Sequence, residues 1–155
     1  MEITGRMSSS SIEQCDKIIK RFAMAKGLDL QKFFNRVIFS FIMGNTDMHL
    51  KNFSLYKPTD WTLAPAYDLV STKIVIPDDM EESALTVCGK KSGLTRKDFL
   101  LFGANLTLPR ESALRVLEFY KRKEQDILSC IQESFLSESM RETYRALIQE
   151  RIPRL

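Results

Sequence analysis

Between Leu30 and Met43 the chain carries Phe33, Phe34, Val37, Ile38, Phe39, Phe41 and Ile42, which makes this stretch apolar on nearly every side of a helix. A helix hydrophobic all round belongs in the middle of a domain, so the other elements must be arranged about it. Asp29 is placed to cap its start and Gly44 to end it. Whatever follows Gly44 is therefore delivered from a rigid, buried support.

Around this centre the sequence predicts further helices. Ile12, Cys15, Ile18, Ile19 and Phe22 recur at helical intervals after a serine cluster, and Ser10 with Glu13 has the spacing of a capping box. A helix over about Ser11–Lys26, stopped by Gly27, is expected. Three more follow later in the chain. One is short and capped by Thr95. A long one after Pro109 has Ala113, Val116, Leu117, Tyr120, Ile127, Leu128 and Ile131 as its inward stripe. The last runs over about Ser139–Arg151. Phe53 and Leu55, then Trp61 and Leu63, flank Lys57-Pro58-Thr59-Asp60 as the arms of a short β-hairpin, and Ala84–Val87 reads as a further strand. The expected fold class is mainly α, with one or two short β-hairpins, in a single domain over residues 1–155.

Composition narrows the function. Hydrophobic residues make up 44% of the 155, enough for a core and too many for a disordered chain. The net charge of +3, from 23 basic and 20 acidic residues, lacks the basic excess of a protein that binds nucleic acid directly. Cys15, Cys88 and Cys130 are scattered and odd in number, which argues against a disulfide framework or a zinc knuckle and fits a reducing compartment. The longest apolar run, around Val37–Met43, is too short to span a bilayer, and residues 1–10 lack a signal peptide's apolar centre. A soluble, cytoplasmic protein is expected.

Asp47, His49, Lys51 and Asn52 fall within six consecutive positions after Gly44, and Asp68 follows the return arm of the hairpin. Singly these residues mean little, because Asp and Asn abound in turns and a lone histidine is more often structural than catalytic. Their order is more informative. Phosphoryl transfer needs a carboxylate to orient the attacking hydroxyl, and cations to neutralise the β- and γ-phosphates. Protein kinases place a catalytic aspartate and a metal-binding asparagine five residues apart, with a second metal ligand, an aspartate, beyond a hairpin. Asp47, Asn52 and Asp68 repeat that order.

The segments Gly44-Asn45-Thr46-Asp47-Met48-His49-Leu50-Lys51-Asn52-Phe53-Ser54 and Leu63-Ala64-Pro65-Ala66-Tyr67-Asp68-Leu69 resemble the D-x-H-x-K-N-x-S and P-x-Y-D-[LI] motifs of HipA-like serine/threonine kinases. The similarity extends to the C-terminus and is closest to the short HipT-type toxins of the family. It implies the helical C-terminal lobe of a bilobal kinase-like fold, with ATP and Mg²⁺ as cofactors. Asp47 and Lys51 take the catalytic positions. His49, Asn52 and Asp68 take the nucleotide positions, with Asn52 and Asp68 on the metal. His49 can instead brace the loop. The implied partners are a protein substrate, an aminoacyl-tRNA synthetase in characterised branches, and a helix-turn-helix antitoxin.

A family member also needs an N-terminal lobe with a phosphate-covering loop and a phosphate-pairing lysine. Only Gly5 and Gly27 precede Gly44, so no glycine-rich loop lies upstream of Asp47. The nucleotide-binding lobe is expected to be absent from this chain or supplied by a separate protein, leaving weak ATP binding and negligible turnover. A non-catalytic binding module is the alternative reading. A metal-dependent hydrolase using Asp47, His49 and Asp68 is a third, disfavoured by the single histidine.

Overall fold

The computed structural model describes residues 12–76 and 81–155. Six α-helices, two 3₁₀ turns and one two-stranded hairpin follow in the order α1 (Ile12–Phe22), α2 (Lys26–Met43), a turn at Leu50–Asn52, β1 (Leu55–Tyr56), β2 (Thr62–Leu63), α3 (Arg96–Asn105), α4 (Arg110–Arg122), α5 (Glu124–Gln132), α6 (Glu138–Arg151) and a turn at Ile152–Arg154. The Ser10 member of the expected capping box lies outside the described residues.

Helix α2 is the centre, as its composition requires. Phe33, Phe34, Val37, Ile38, Phe41 and Ile42 are all buried, and α1, α3, α4, α6 and β2 pack around them. Aromatic edges and faces knit the layers: Phe33 meets Phe53 with ring centroids 4.9 Å apart, Phe34 stacks on Phe102 at 5.6 Å, and Phe41 meets Phe99 at 4.9 Å. Among the described residues no helix is long and apolar enough to cross a membrane.

The first helix boundary differs from the expectation. Helix α1 ends at Phe22, and α2 begins at Lys26, so Gly27 lies inside the first turn of α2 rather than stopping α1. The chain turns at Ala23–Ala25 because the Met24 N–H is drawn to the Trp61 carbonyl at 2.9 Å, across to the hairpin. Asp29 is correspondingly not the cap. Its carboxylate is fully buried one turn into α2, accepting from the Thr62 hydroxyl at 2.9 Å and from Lys32 at 3.2 Å, and thus fastens β2 to α2.

The hairpin forms where expected, Leu55 pairing with Leu63 and Tyr56 with Thr62. Ala84–Val87 does not form a strand. Leu85 and Val87 are buried, which gave the alternating pattern, but the chain reverses at once through Cys88 and Gly89 and makes isolated bridges, Val87–Lys90 among them, rather than a ladder. Thr95 caps α3 as expected, with its N–H and hydroxyl both bonded to the Asp98 carboxylate at 2.9 and 2.7 Å. Burial pushes the Asp98 carboxyl up, but Lys90 and Thr95 outweigh it and hold it below its ordinary range.

The long helix after Pro109 is broken at Lys123 into α4 and α5. No apolar residue lies between Tyr120 and Ile127. Nothing there holds a continuous helix on the core, and α5 turns back along α6 instead. Ser137 caps α6, and the buried Arg151 of that helix donates to the Phe41 carbonyl with its guanidinium over the Phe41 ring.

Candidate active site

Helix α2 ends on Gly44 in the left-handed conformation, φ 71° and ψ 32°, and the polar loop leaves from there. The loop is pinned from two sides. The Thr46 N–H donates to the Thr72 hydroxyl at 2.8 Å, and the Lys73 N–H donates to the Gly44 carbonyl at 3.0 Å. The Asn45 side chain, buried, spans two parts of the site. Its oxygen accepts the Asp47 N–H at 3.2 Å, and its amide nitrogen donates to the Asp68 carbonyl at 3.2 Å. One side chain therefore ties the backbone of Asp47 to that of Asp68.

Past Asp47 the chain makes a 3₁₀ turn over Leu50–Asn52. The His49 N–H donates to the Asn52 side-chain oxygen at 3.2 Å, and the Asn52 amide nitrogen donates to Asp68 Oδ2 at 2.6 Å. The hairpin thus folds Asp68 back onto Asn52, although sixteen residues separate them. Asn52 is 5% exposed, while Asp68 is open to solvent. Asp68 also adopts φ 55°, a left-handed conformation uncommon outside glycine and the Asx residues.

His49 Nε2 lies 2.8 Å from Asp47 Oδ1, with the two side chains 46% and 54% exposed. His49 therefore holds the Asp47 carboxylate, whereas Asn52 and Asp68 make their own contact. The exposed Lys51 is fixed through its backbone, its carbonyl accepting the Tyr67 hydroxyl at 2.8 Å. Asn45, Thr46, Thr72 and Tyr67 were not picked out as site residues from the sequence. Tyr67 stands in the Pro65–Leu69 motif, and Asn45 and Thr46 stand in the Gly44–Ser54 segment; the pairing of Thr46 with Thr72 depends on a chain path that no local pattern specifies.

Among the described residues no three His, Cys, Asp or Glu side chains cluster as a metal site. A thiolate or imidazole metal is not what these residues suit. Asn52 turns its amide nitrogen to Asp68 and its oxygen, which retains a lone pair beyond the one facing His49, away from that contact; this oxygen and the carboxylate of Asp68 are the hard oxygen donors of the site. That suits Mg²⁺, which takes one or two protein oxygens and completes its shell with phosphate and water.

The left-handed conformation of Asp68 can be checked by substitution. Glycine adopts φ 55° freely, whereas alanine pays about 1 kcal/mol or more there. Asp68→Gly is expected to be more stable than Asp68→Ala by about 1 kcal/mol in urea unfolding, with both losing the bond to Asn52. Equal stabilities, or a less stable glycine variant, would contradict this account of the conformation.

The structure superposes on HipA from the Shewanella oneidensis MR-1 toxin–antitoxin system, solved with HipB and operator DNA, with a TM-score of 0.79 over 97% of this chain and 22% identity. The sequence is 34% identical over 89 residues to "Putative kinase Y4mE" of Sinorhizobium fredii, covering 57% of this chain and 21% of that protein. It is 29% identical over 136 residues to a "Putative kinase" of Haemophilus influenzae, covering 74% of this chain and 39% of that protein. The chain thus spans well under half the length of each of these proteins. Residues 2–146 match the model of the HipA-like C-terminal domain, and with the helical fold already described this places the chain in the HipA-like C-terminal domain family.

Proposed function

We propose that this chain is the catalytic, metal-holding lobe of a HipA-like kinase that transfers the γ-phosphate of ATP to a serine or threonine hydroxyl of a protein. The observation that carries the reading is the 2.6 Å contact between Asn52 and Asp68, in a site where Asn45 also ties Asp68 to the Asp47 backbone. Asp47 is the residue to orient the attacking hydroxyl and accept its proton. The His49 ring, 2.8 Å from the Asp47 carboxylate, keeps that carboxylate from rotating away. Asn52 and Asp68 would hold Mg²⁺, which supplies charge neutralisation at the β- and γ-phosphates. Lys51, anchored through its carbonyl to Tyr67, has its ammonium free to swing toward phosphate. By likeness to the Shewanella protein, solved with HipB and its operator DNA, a helix-turn-helix antitoxin is the proposed partner. A nucleotide-covering lobe on further polypeptide completes the pocket.

Calorimetry of the chain with ATP, with and without Mg²⁺, tests the reading. We expect weak, Mg²⁺-dependent binding, on the order of millimolar. Asp68→Ala should weaken it at least roughly tenfold, about 1.4 kcal/mol. Binding that ignores both Mg²⁺ and the substitution would favour a non-catalytic module.

A further inference from the structure

A cleft of about 500 Å³ runs between α2 and the segment that returns from the hairpin to Asp68. Lys32, Asn35 and Arg36 line one wall from a single face of α2, and Pro65, Leu69 and Tyr120 lie among the facing residues. Arg36 is only 8% exposed. One of its nitrogens, Nη2, donates to the Ala64 carbonyl at 2.6 Å, and its guanidinium sits 5.6 Å from the centre of the Phe53 ring. Its other terminal nitrogen, Nη1, is buried with no hydrogen-bond partner among the described residues.

A buried cation is ordinarily matched by an anion, because taking a charge out of water without a partner is expensive. Here the match is lacking. Burial pushes the Arg36 pKa down, and the electrostatic influences that oppose it come from Tyr67 and Cys15 rather than from a carboxylate. The nearby acid, Asp29, is fully buried and already shared between Thr62 and Lys32.

The other two polar groups on the wall are also donors. Burial pushes the Tyr120 phenol up to about 12, so it stays protonated and donates to the Asn35 oxygen at 2.9 Å. That bond occupies the Asn35 oxygen and leaves its amide nitrogen as a donor. Lys32 spends one proton on Asp29 at 3.2 Å, and its side chain is 46% exposed, with two protons left. Lys32, Asn35 and Arg36, at positions i, i+3 and i+4 of one helix, therefore bring donors to one cleft that no carboxylate among the described residues lines.

We infer that this cleft is a binding site for an anionic group, a carboxylate or a phosphate, with Arg36 as its counter-charge and Lys32 and Asn35 as its outer donors. The cleft flanks Asp68 through Ala66 and Leu69. An anion held there on a polypeptide would set that polypeptide beside the proposed phosphoryl-transfer site. Only this use of the cleft rests on the kinase reading; the binding itself does not.

The test is an NMR titration of the isotopically labelled chain at constant ionic strength, without nucleotide or Mg²⁺. The probes are inorganic phosphate, acetate, N-acetyl-aspartate amide and N-acetyl-phosphoserine amide. Saturable shifts are expected at the Arg36 side-chain N–H and at the Ala64 and Ala66 amides, and the two amino-acid probes show whether carboxylate or phosphate is preferred. Asn35→Asp keeps the acceptor for Tyr120 but adds a negative charge to the cleft, and should weaken binding at least roughly tenfold. Lys32→Ala, at an exposed position, should weaken it about threefold, and Lys97→Ala, outside the cleft, should not. Shifts that do not saturate, shifts confined to Lys90, Lys91 and Lys97, or an unchanged affinity in both cleft variants would overturn the site. Displacement of the bound probe by Mg²⁺–ATP would overturn it as a separate site and merge it with the nucleotide pocket.

Discussion

Phe33→Ala is expected to lower the stability of the chain by about 3–5 kcal/mol, the range for deleting a fully buried aromatic ring. Phe33 has no exposed surface and sits at the crossing of two ring pairs, with Phe53 at 4.9 Å and Phe102 at 6.0 Å. Neither neighbour can collapse into the vacated space without moving a second ring, since Phe102 also stacks on Phe34 and Phe53 also supports Arg36. A loss of that size is a large share of the roughly 5–15 kcal/mol that holds a domain together. It corresponds to a fall in Tm on the order of 10 °C for a chain of this length. Phe135, 109% exposed in the turn between α5 and α6, is the control, and Phe135→Ala should stay within about 0.5 kcal/mol of the parent. Thermal and urea unfolding of the two variants decides the matter. A loss under about 1 kcal/mol for Phe33→Ala would mean that the ring cluster is not the centre of the core. The damage should also reach the loop, because Phe53 directly follows Asn52.

The same cluster explains what the sequence could disclose. The central helix was legible because nearly every side of it is apolar, a property that depends on no other element. The hairpin was legible because a proline-containing turn separates two apolar pairs. Boundaries failed where a distant partner decides them. Met24 leaves the helix for the Trp61 carbonyl, and no residue near Met24 announces it. The apolar alternation of Leu85 and Val87 arises from burial against the core without a partner strand, which periodicity alone does not distinguish from a ladder. The break at Lys123 was in principle readable, since the six residues from Lys121 to Asp126 are all polar. At the site, Asp47, His49, Lys51 and Asn52 stand within six positions, so their proximity needed no fold, and the hairpin brought Asp68 to Asn52. The clasp of His49 on Asp47, the bridge made by Asn45 and the strut from Arg36 to Ala64 concern side-chain directions and separations that the sequence does not encode locally.

Gly44→Val is expected to cost about 2–5 kcal/mol and to unseat the site with it. Two penalties combine. At φ 71° any residue with a Cβ pays roughly 1–2 kcal/mol, more when branched. A Cβ built on Gly44 would also stand 2.6 Å from Leu147 Cδ2, 2.9 Å from Lys73 Cβ and 3.2 Å from Ser71 Oγ, and forcing atoms into such space costs about 1–3 kcal/mol. Leu147 belongs to α6 and can turn its terminal methyl aside, whereas Ser71 and Lys73 follow Asp68 and the Lys73 Cβ moves only with its backbone, so the clash is relieved partly at α6 and partly by moving the segment that carries Asp68. The second route is the softer one. That segment is held to Gly44 by the Lys73 N–H and the Thr72 hydroxyl, at 3.0 and 3.2 Å, rather than by packed helices. Amide shifts in Gly44→Val should therefore change most over Asn45–Asn52 and Asp68–Lys73, with the α3 and α4 core resonances nearly unmoved. Gly44→Ala should follow the same pattern to a smaller extent. A Tm within about 2 °C of the parent for the valine variant, or disturbance spread evenly through the helices, would show that the close approach at Gly44 does not hold the two halves of the site together.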